Sequence, residues 1–322
     1  RRVLFRSVID LKKPEGKELF FKLIEKCDVV LENYRVGALK KLGLDYEEAK
    51  KRNPGIIYAS ISGFGQDGPY RDRAALDLIL QSESGMVSVT GDEGSSGTRA
   101  GVSIADMTAG LYCAYGVMLA LRMKEKTGIG QQLDISMMEG QLALLSTMLS
   151  AYCQDGKVPR PTGNKYAALV PYQTFHTKTR DLAIAIAGDK LWRKLCPTIG
   201  VPELTDDPRF SKALERNKNR DALLPMLQDV FITRPYEEWE PLLVANDIPV
   251  GAINDLAQVV EHPQVKARKS MVDVEHPRAG RIPVVRSPVR LSKAPFSVRS
   301  PSPILGQHTQ EVLKDVLGMQ DA

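Results

Sequence analysis

The chain is poor in the residues that build metal centres and disulfide frameworks. Its 322 residues include four cysteines, four histidines and two tryptophans. Cys27, Cys113, Cys153 and Cys196 are far apart, with no C-x-x-C pair and no secretory signal ahead of them, so reduced thiols in a cytoplasmic compartment are expected. None of His176, His262, His276 and His308 is spaced as a metal pair, and two of them precede proline, so no metal is expected. A G-x-S-x-G nucleophile elbow is missing, which argues against a Ser–His–Asp hydrolase. Charge of one sign is also thin. The formal +5 is spread along the chain, with mild basic clusters at 39–41 and 49–52 and no basic run interleaved with aromatics, so no nucleic-acid partner is expected, whereas a small anionic ligand stays open.

No apolar run reaches a typical membrane span. The longest, MTAGLYCAYGVMLALRM at 107–123, carries one charge, Arg122, contains Gly110 and Gly116, and is followed by Lys124-Glu125-Lys126. It reads as a buried core helix, and no membrane partner is expected. Internal repeats and low-complexity tracts are absent as well. What remains is an ordinary composition, 43% hydrophobic, on a chain long enough for two domains or one large α/β unit. The first seven residues, Arg1–Ser7, are what AGA CGT GTG CTC TTC CGA TCT would encode, a string resembling a sequencing-library adapter. The natural protein is therefore expected to begin earlier and differently, and without Arg1, Arg2 and Arg6 the formal charge of +5 falls by three.

Helices and buried strands alternate from the start. Pro14–Cys27 begins with proline near the first helical position and keeps helical spacing, and Asp28–Glu32 follows as a strand. A helix over about Val36–Lys51 and the strand Ile56–Ser62 repeat the pattern, and after the helix at 107–123 come a turn at Thr127–Gly130, a strand at Gln132–Ser136 and a helix at 137–151. This order predicts a largely parallel sheet covered by helices. The Pro- and Gly-containing stretch Asp155–Asn164 reads as a linker into a second unit, with strands at Leu182–Ala187 and Ile248–Ile253 and helices at 189–199, 219–231 and 236–246. An extended path over 283–303 and a closing helix at Thr309–Leu317 complete the prediction.

Three segments could carry chemistry. Asp106, in SIADMTAGLY, falls at the mouth of the apolar helix, where free N–H groups and the positive end of the helix dipole stabilise an anion; it reads either as a nucleophilic carboxylate or as an ordinary cap. Ser62–Tyr70 holds a literal G-x-G-x-x-G directly after a strand, the opening of a dinucleotide fingerprint. Pro69–Arg73 stands where the phosphate-binding helix should begin, and no strand-terminal acid stands clearly about twenty residues on, so the glycines read as a flexible loop able to close over a substrate. Gly63 and Gly65 are its candidates for bringing backbone N–H groups close to a developing oxyanion. Glu32–Gly37 stands at the carboxyl end of a parallel strand, the side on which open α/β sheets bind ligands. There Asn33 offers an amide, Tyr34 a flat face and, further on, Lys41 a cation, while Asn33 and Gly37 equally suit a simple strand-to-helix turn.

Taken in order, SVIDLKKPEGKELF, DVVLENYRVGALKKLGLDYE, NPGIIYASISGFGQDGPY, SIADMTAGLY, TGIGQQLDISMMEG, GNKYAALVPYQTF, NDIPVGAIN and LGQHTQEVL closely resemble the class III (CaiB/BaiF) CoA-transferases over nearly the whole chain. That family includes the formyl-CoA:oxalate, carnitine and bile-acid CoA-transferases and α-methylacyl-CoA racemase. The resemblance implies an α/β fold, with a large Rossmann-like domain (1–150 and 284–322) whose first strand–helix unit precedes this chain, and a smaller α/β domain with linkers (151–283), in interlocked homodimers. It implies that Asp106 is the nucleophile and that Asn33, Tyr34 and Lys41 contact CoA, although Lys41 lacks the planar fork of the arginine some members carry. It also implies no cofactor beyond CoA thioesters and small carboxylates as substrates.

Departures from the family pattern narrow the reaction. Racemases carry a histidine where this chain has Leu76, which disfavours α-proton exchange. Oxalate-specific members carry a glycine run where Tyr166–Val170 stands here. A GxxxxxxVPYQ segment is shared with glutarate- and succinate-using relatives, so succinyl-CoA as donor and a small or medium dicarboxylate as acceptor are expected. A non-catalytic CoA-binding module and a nicotinamide oxidoreductase are the competing classes.

Overall fold

The computed structural model describes residues 7–294, 297–298 and 300–319. The adapter reading of Arg1–Ser7 falls, apart from Ser7, outside those residues. Two compact units divide the chain: unit 1 takes the described residues of 1–91, 96–160 and 272–322, and unit 2 takes 92–95 and 161–271. The expected boundaries after 150 and after 283 both fall within unit 1.

Unit 1 is built on three parallel strands, β1 (Val29–Glu32), β2 (Ile57–Ser62) and β3 (Gln132–Ser136), in the order β1-β2-β3. The register runs from Val29↔Ile57 to Glu32↔Ser60 and from Tyr58↔Gln132 to Ser62↔Ser136. The central strand β2 is an almost unbroken buried run, as a parallel strand covered on both faces must be. Pro14 opens α1 (Pro14–Ile24) at a position where its missing N–H costs nothing. The single helix expected over Val36–Lys51 is two, α2 (Ala38–Leu42) and α3 (Tyr46–Arg52). Gly43 ends the first in a left-handed conformation (φ 71°), and Asp45 starts the second by accepting the Glu48 N–H at 3.2 Å.

Between β2 and β3 lie α4 (Asp77–Glu83), α5 (Met86–Val89) and the long α6 (Ile104–Thr127). α6 is longer than the predicted 107–123 and is not a buried core helix. It presents Ala105, Thr108, Ala109, Cys113 and Ala120 to β2, β3, α4 and the following helix α7 (Met137–Leu144), while Met107, Leu111, Tyr115 and Met118 stand in solvent. Small residues on the packed stripe let the backbones approach; a Cβ on Gly140 of α7 would come within 3.2 Å of the Thr108 methyl. By length and composition α6 could cross a membrane, but its packed stripe is that of a helix lying on a sheet. The helix expected over 137–151 breaks at Leu145 into α7 and α8 (Ser146–Asp155).

Unit 2 centres on an antiparallel sheet, β4 (Tyr172–Phe175), β5 (Leu182–Ala185) and β6 (Val250–Ala252), in the order β4-β5-β6. Helices α9 (Asp189–Ile199), α10 (Ala213–Lys218), α11 (Arg220–Phe231), α12 (Tyr236–Ala245), α13 (Leu256–Glu261) and α14 (Pro263–Ala267) complete it. Phe175, Trp192, Phe210, Phe231 and Trp239 form its core. Arg216 is buried among them; its guanidinium donates to Val170 O, Phe210 O and Asp189 Oδ1 at 2.8–3.1 Å and stacks on Trp192. A hairpin, β7 (Met271–His276) with β8 (Gly280–Val285), which the sequence reading did not foresee, runs up to the start of the extended path expected over 283–303; the described residues of 286–303 carry no helix or strand. The expected closing helix is one α turn at Thr309–Glu311 followed by a π turn at Val312–Val316. Here the chain meets its own start, the Val8 N–H donating to Thr309 Oγ1 at 3.2 Å.

Candidate active site

The three parallel strands end at one edge of the sheet, and the residues that follow them meet there. Asn33 follows β1, Gly63 follows β2 and Met137 follows β3; all three line one cavity of about 610 Å³ together with Asp77 at the start of α4 and Asp106 on α6. A parallel sheet binds ligands at this edge because its crossover connections leave a crevice beyond the strand ends. Four of the six site residues singled out in the sequence, Asn33, Tyr34, Gly63 and Asp106, thus share a single cavity.

Asp106 is not a cap but the third residue of α6. Ser103 occupies the cap position without a side-chain hydrogen bond, and the first helical hydrogen bond runs from Met107 N–H to Ser103 O at 3.0 Å. The Asp106 carboxylate therefore lies in the first turn, where N–H groups without intrahelical acceptors favour negative charge. The residue is exposed, which leaves its carboxylate accessible from the cavity.

Asn33 is held by its Nδ2–H, which donates to Ile61 O at 2.8 Å, and the Tyr34 N–H is held by Glu32 Oε2 at 2.8 Å, presenting an exposed ring beside it. Gly63 is required by close approach: a Cβ there would lie 2.3 Å from the Ala75 Cβ, so only glycine lets the 74–77 segment lie across the end of β2. Gly65 and Lys41 stand outside the lining. Gly65, at φ 96°, turns beside Asp134, which accepts the Gln66 N–H at 2.9 Å, and Lys41 is exposed on α2.

Sequence reasoning missed three cations. Arg35, Arg71 and Arg73 all line the cavity, and Arg35 and Arg71 also line a smaller one of about 200 Å³ beside it. Arg35 donates to Asp72 O at 2.9 Å; Arg73 pairs with Glu83 at 2.9 Å and stacks over Tyr70 at 4.2 Å from the ring centroid. Such arginines give a binding surface for phosphate or carboxylate oxygens. Their only sequence signal was position, Arg35 just beyond β1 in ENYRVG and Arg71 and Arg73 in the loop between β2 and α4 in GPYRDR. Leu76, 77% exposed, is a further lining residue. Among the described residues no group of three or more His, Cys, Asp or Glu could hold a metal ion.

The family pattern of CoA-transferase family III matches residues 6–309. A succinate–glutarate CoA-transferase of Agrobacterium fabrum is 37% identical over 97% of this chain and 78% of its own length. The succinyl-CoA:glutarate CoA-transferase of Homo sapiens is 34% identical over 97% of this chain and 72% of its own. The crystal structure of a CAIB/BAIF family protein from Brucella suis superposes with a TM-score of 0.85 at 34% identity, covering 96% of this chain and 81% of that one. The mixed α/β fold with its parallel sheet is thus a shared one, and this chain belongs to CoA-transferase family III, as a CoA-transferase.

Proposed function

We propose that the protein moves CoA from succinyl-CoA to a glutarate-like dicarboxylate, with Asp106 as the covalent carrier. The observation that carries this reading is the cavity in which the exposed Asp106 carboxylate faces the same space as Asn33, Tyr34 and three arginines. The names of the relatives supply the acids: both act between succinate and glutarate.

An Asp106 oxygen attacks the thioester carbonyl, the carbon–sulfur bond breaks, and CoA leaves as thiolate from a mixed anhydride. The thiolate then attacks the aspartyl carbonyl, releasing the donor carboxylate and leaving an aspartyl-CoA thioester. An incoming carboxylate attacks that thioester, re-forming an anhydride and thiolate. Attack of the thiolate on the acceptor's carbonyl then frees Asp106 and completes the new thioester. Each step develops an oxyanion, which backbone N–H groups near Gly63 and the first turn of α6 are suited to stabilise. Asn33 and Tyr34 hold the CoA moiety, and Arg35, Arg71 and Arg73 neutralise its phosphates. Leu76 offers no base for α-proton exchange, which disfavours a racemase. The exposed stripe of α6 is covered by a second copy in a homodimer, an arrangement supported by the exposed apolar side chains Met107, Leu111, Tyr115 and Met118 along one helix.

Intact-protein mass spectrometry tests the carrier: after incubation with succinyl-CoA and a hydroxylamine quench, a hydroxamate maps to Asp106 and is missing from Asp106→Ala, whose turnover falls at least about 10³-fold. CoA binding and turnover without label at Asp106 would overturn it.

A further inference from the structure

α6 begins without a cap of its own. Its cap residue Ser103 makes no side-chain hydrogen bond, yet the N–H of Ala105, the second helical residue, is satisfied from another element: Asp77 Oδ1 accepts it at 2.9 Å. The other oxygen, Oδ2, accepts from Gln81 Nε2 at 2.7 Å, one turn further along α4. The Gln81 carbonyl in turn accepts the Ala100 N–H at 2.8 Å, and its amide also reaches Val102 O at 3.4 Å. Gln81 is fully buried. Two side chains of α4 therefore hold both ends of the 100–105 segment that delivers Asp106, beside the helix's own bonds from Met107 N–H to Ser103 O and from Thr108 Oγ1 to Ile104 O.

The donor and acceptor pattern of this strut is fixed. Both ends are backbone N–H groups, so the side chains between them must present an acceptor at each end and one donor–acceptor contact in the middle. A carboxylate at 77, accepting only, with an amide at 81 meets that requirement. An amide at both positions cannot: either two NH₂ groups face each other or one faces the Ala100 N–H. Carboxylates at both positions fail as well, because two acceptors then meet in the middle.

We infer that Asp77 is a positioning residue for Asp106, acting through Ala105 and, with Gln81, fixing where the first turn of α6 places the reactive carboxylate. The inference rests on the reading of Asp106 as carrier. Asp77 itself lines the cavity, so a direct role on substrate is the rival that the test must separate. Reversing the polarity does so: Asp77→Asn with Gln81→Glu restores an acceptor at each end and a donor in the middle, losing only the longer contact with Val102 O at 3.4 Å, while moving the charge away from position 77.

Single-turnover labelling of Asp106 by succinyl-CoA is measured beside CoA affinity and amide hydrogen exchange at 100 and 105. Asp77→Asn is expected to bind CoA within about twofold of the parent, to slow labelling about 10- to 100-fold, the scale of a small misplacement of a reacting group, and to speed exchange at both amides. Gln81→Glu behaves similarly. The paired variant regains slow exchange and labels within about threefold of the parent, and it carries the test alone should either single variant not fold. Labelling of Asp77→Asn at the parent's rate overturns the inference, as does a paired variant with protected amides that labels no faster than Asp77→Asn, since the carboxylate at 77 would then act on substrate directly. A parent that turns over without label at Asp106 overturns the carrier reading, and the inference falls with it; a labelled parent with an undisturbed Asp77→Asn overturns the strut alone.

Discussion

The two units spend their apolar residues differently. Unit 2 folds both tryptophans, Trp192 and Trp239, with Phe175, Phe210 and Phe231 into one closed cluster, and even its buried Arg216 is satisfied from within. Unit 1 has two smaller clusters, on either side of its sheet register, and leaves the longest helix of the described residues with Met107, Leu111, Tyr115 and Met118 in water. The core of unit 2 buries its aromatic rings within the unit, whereas the outer stripe of α6 has no apolar cover within the described residues. Unit 1 leaves open a cavity at the sheet edge and an apolar face on α6.

The comparison breaks most visibly if the two kinds of apolar residue respond alike to truncation. Trp239→Ala removes a buried ring, its edge-on contact with Phe231 and the indole donor to Phe231 O at 2.9 Å, and should cost about 3–5 kcal/mol in denaturant unfolding. Leu111→Ala, at a residue 72% exposed, should stay within about 0.5 kcal/mol when measured on dilute protein. A cost for Leu111 approaching that of Trp239 would mean that α6 is buried in a way the single chain does not provide. The sharper variant is Leu111→Asp, which should leave dilute stability nearly unchanged and weaken self-association at least about tenfold in sedimentation velocity, because a charge would be buried in the apolar contact. The cavity side of unit 1 gives a smaller effect: Arg73→Ala, at a partly solvated cation, should raise the CoA dissociation constant about three- to tenfold without moving the unfolding midpoint, and the increase should shrink at high salt.

Much of this arrangement was legible in the sequence, and the exceptions have physical causes. The parallel strands were readable because each is a short apolar run bounded by helical periodicity, and Asn33, Gly63 and Asp106 were readable because ends of strands and helices are where backbone groups are free. Gly65 was chosen from a literal glycine spacing, but spacing does not say which way a loop turns, and this one turns beside Asp134. The arginines of the cavity lie on loops with no period to betray them, and their convergence exists only in three dimensions. Hairpin β7–β8 did carry a signal, the alternation in Met-Val-Asp-Val-Glu-His, which the Pro- and Ser-rich composition after it obscured. The exposure of α6 could not be read at all, since an apolar helix that packs on a sheet along only one stripe has the composition of a core helix.

Alkali reaches buried groups of both units, since burial also raises the Tyr58 phenol of unit 1, whose hydroxyl donates to Leu44 O, and the smallest expected effects concern unit 2. Burial pushes the Cys196 thiol of unit 2 from 9.0 up to about 11, and the Tyr236 phenol, buried and bonded to Glu240, from 10.0 up to about 12. Both groups keep their protons in the folded state at a pH where the unfolded chain has released them, so unfolding releases protons and is favoured by rising pH. Stability should be flat with respect to these groups below pH 9, decline from 9 to 11 through Cys196 and from 10 to 12 through Tyr236, and level off above. Cys196→Ala should flatten the first part of that decline in thermal unfolding of the full chain while leaving the second. Burial raises the Cys113 thiol as well, but that residue sits on a helix whose other side faces water, so Cys113→Ala should flatten the decline less. Equal slopes in the parent and in Cys196→Ala would show that the closed core of unit 2 admits water to its thiol, and that its packing is looser than the buried aromatic cluster implies.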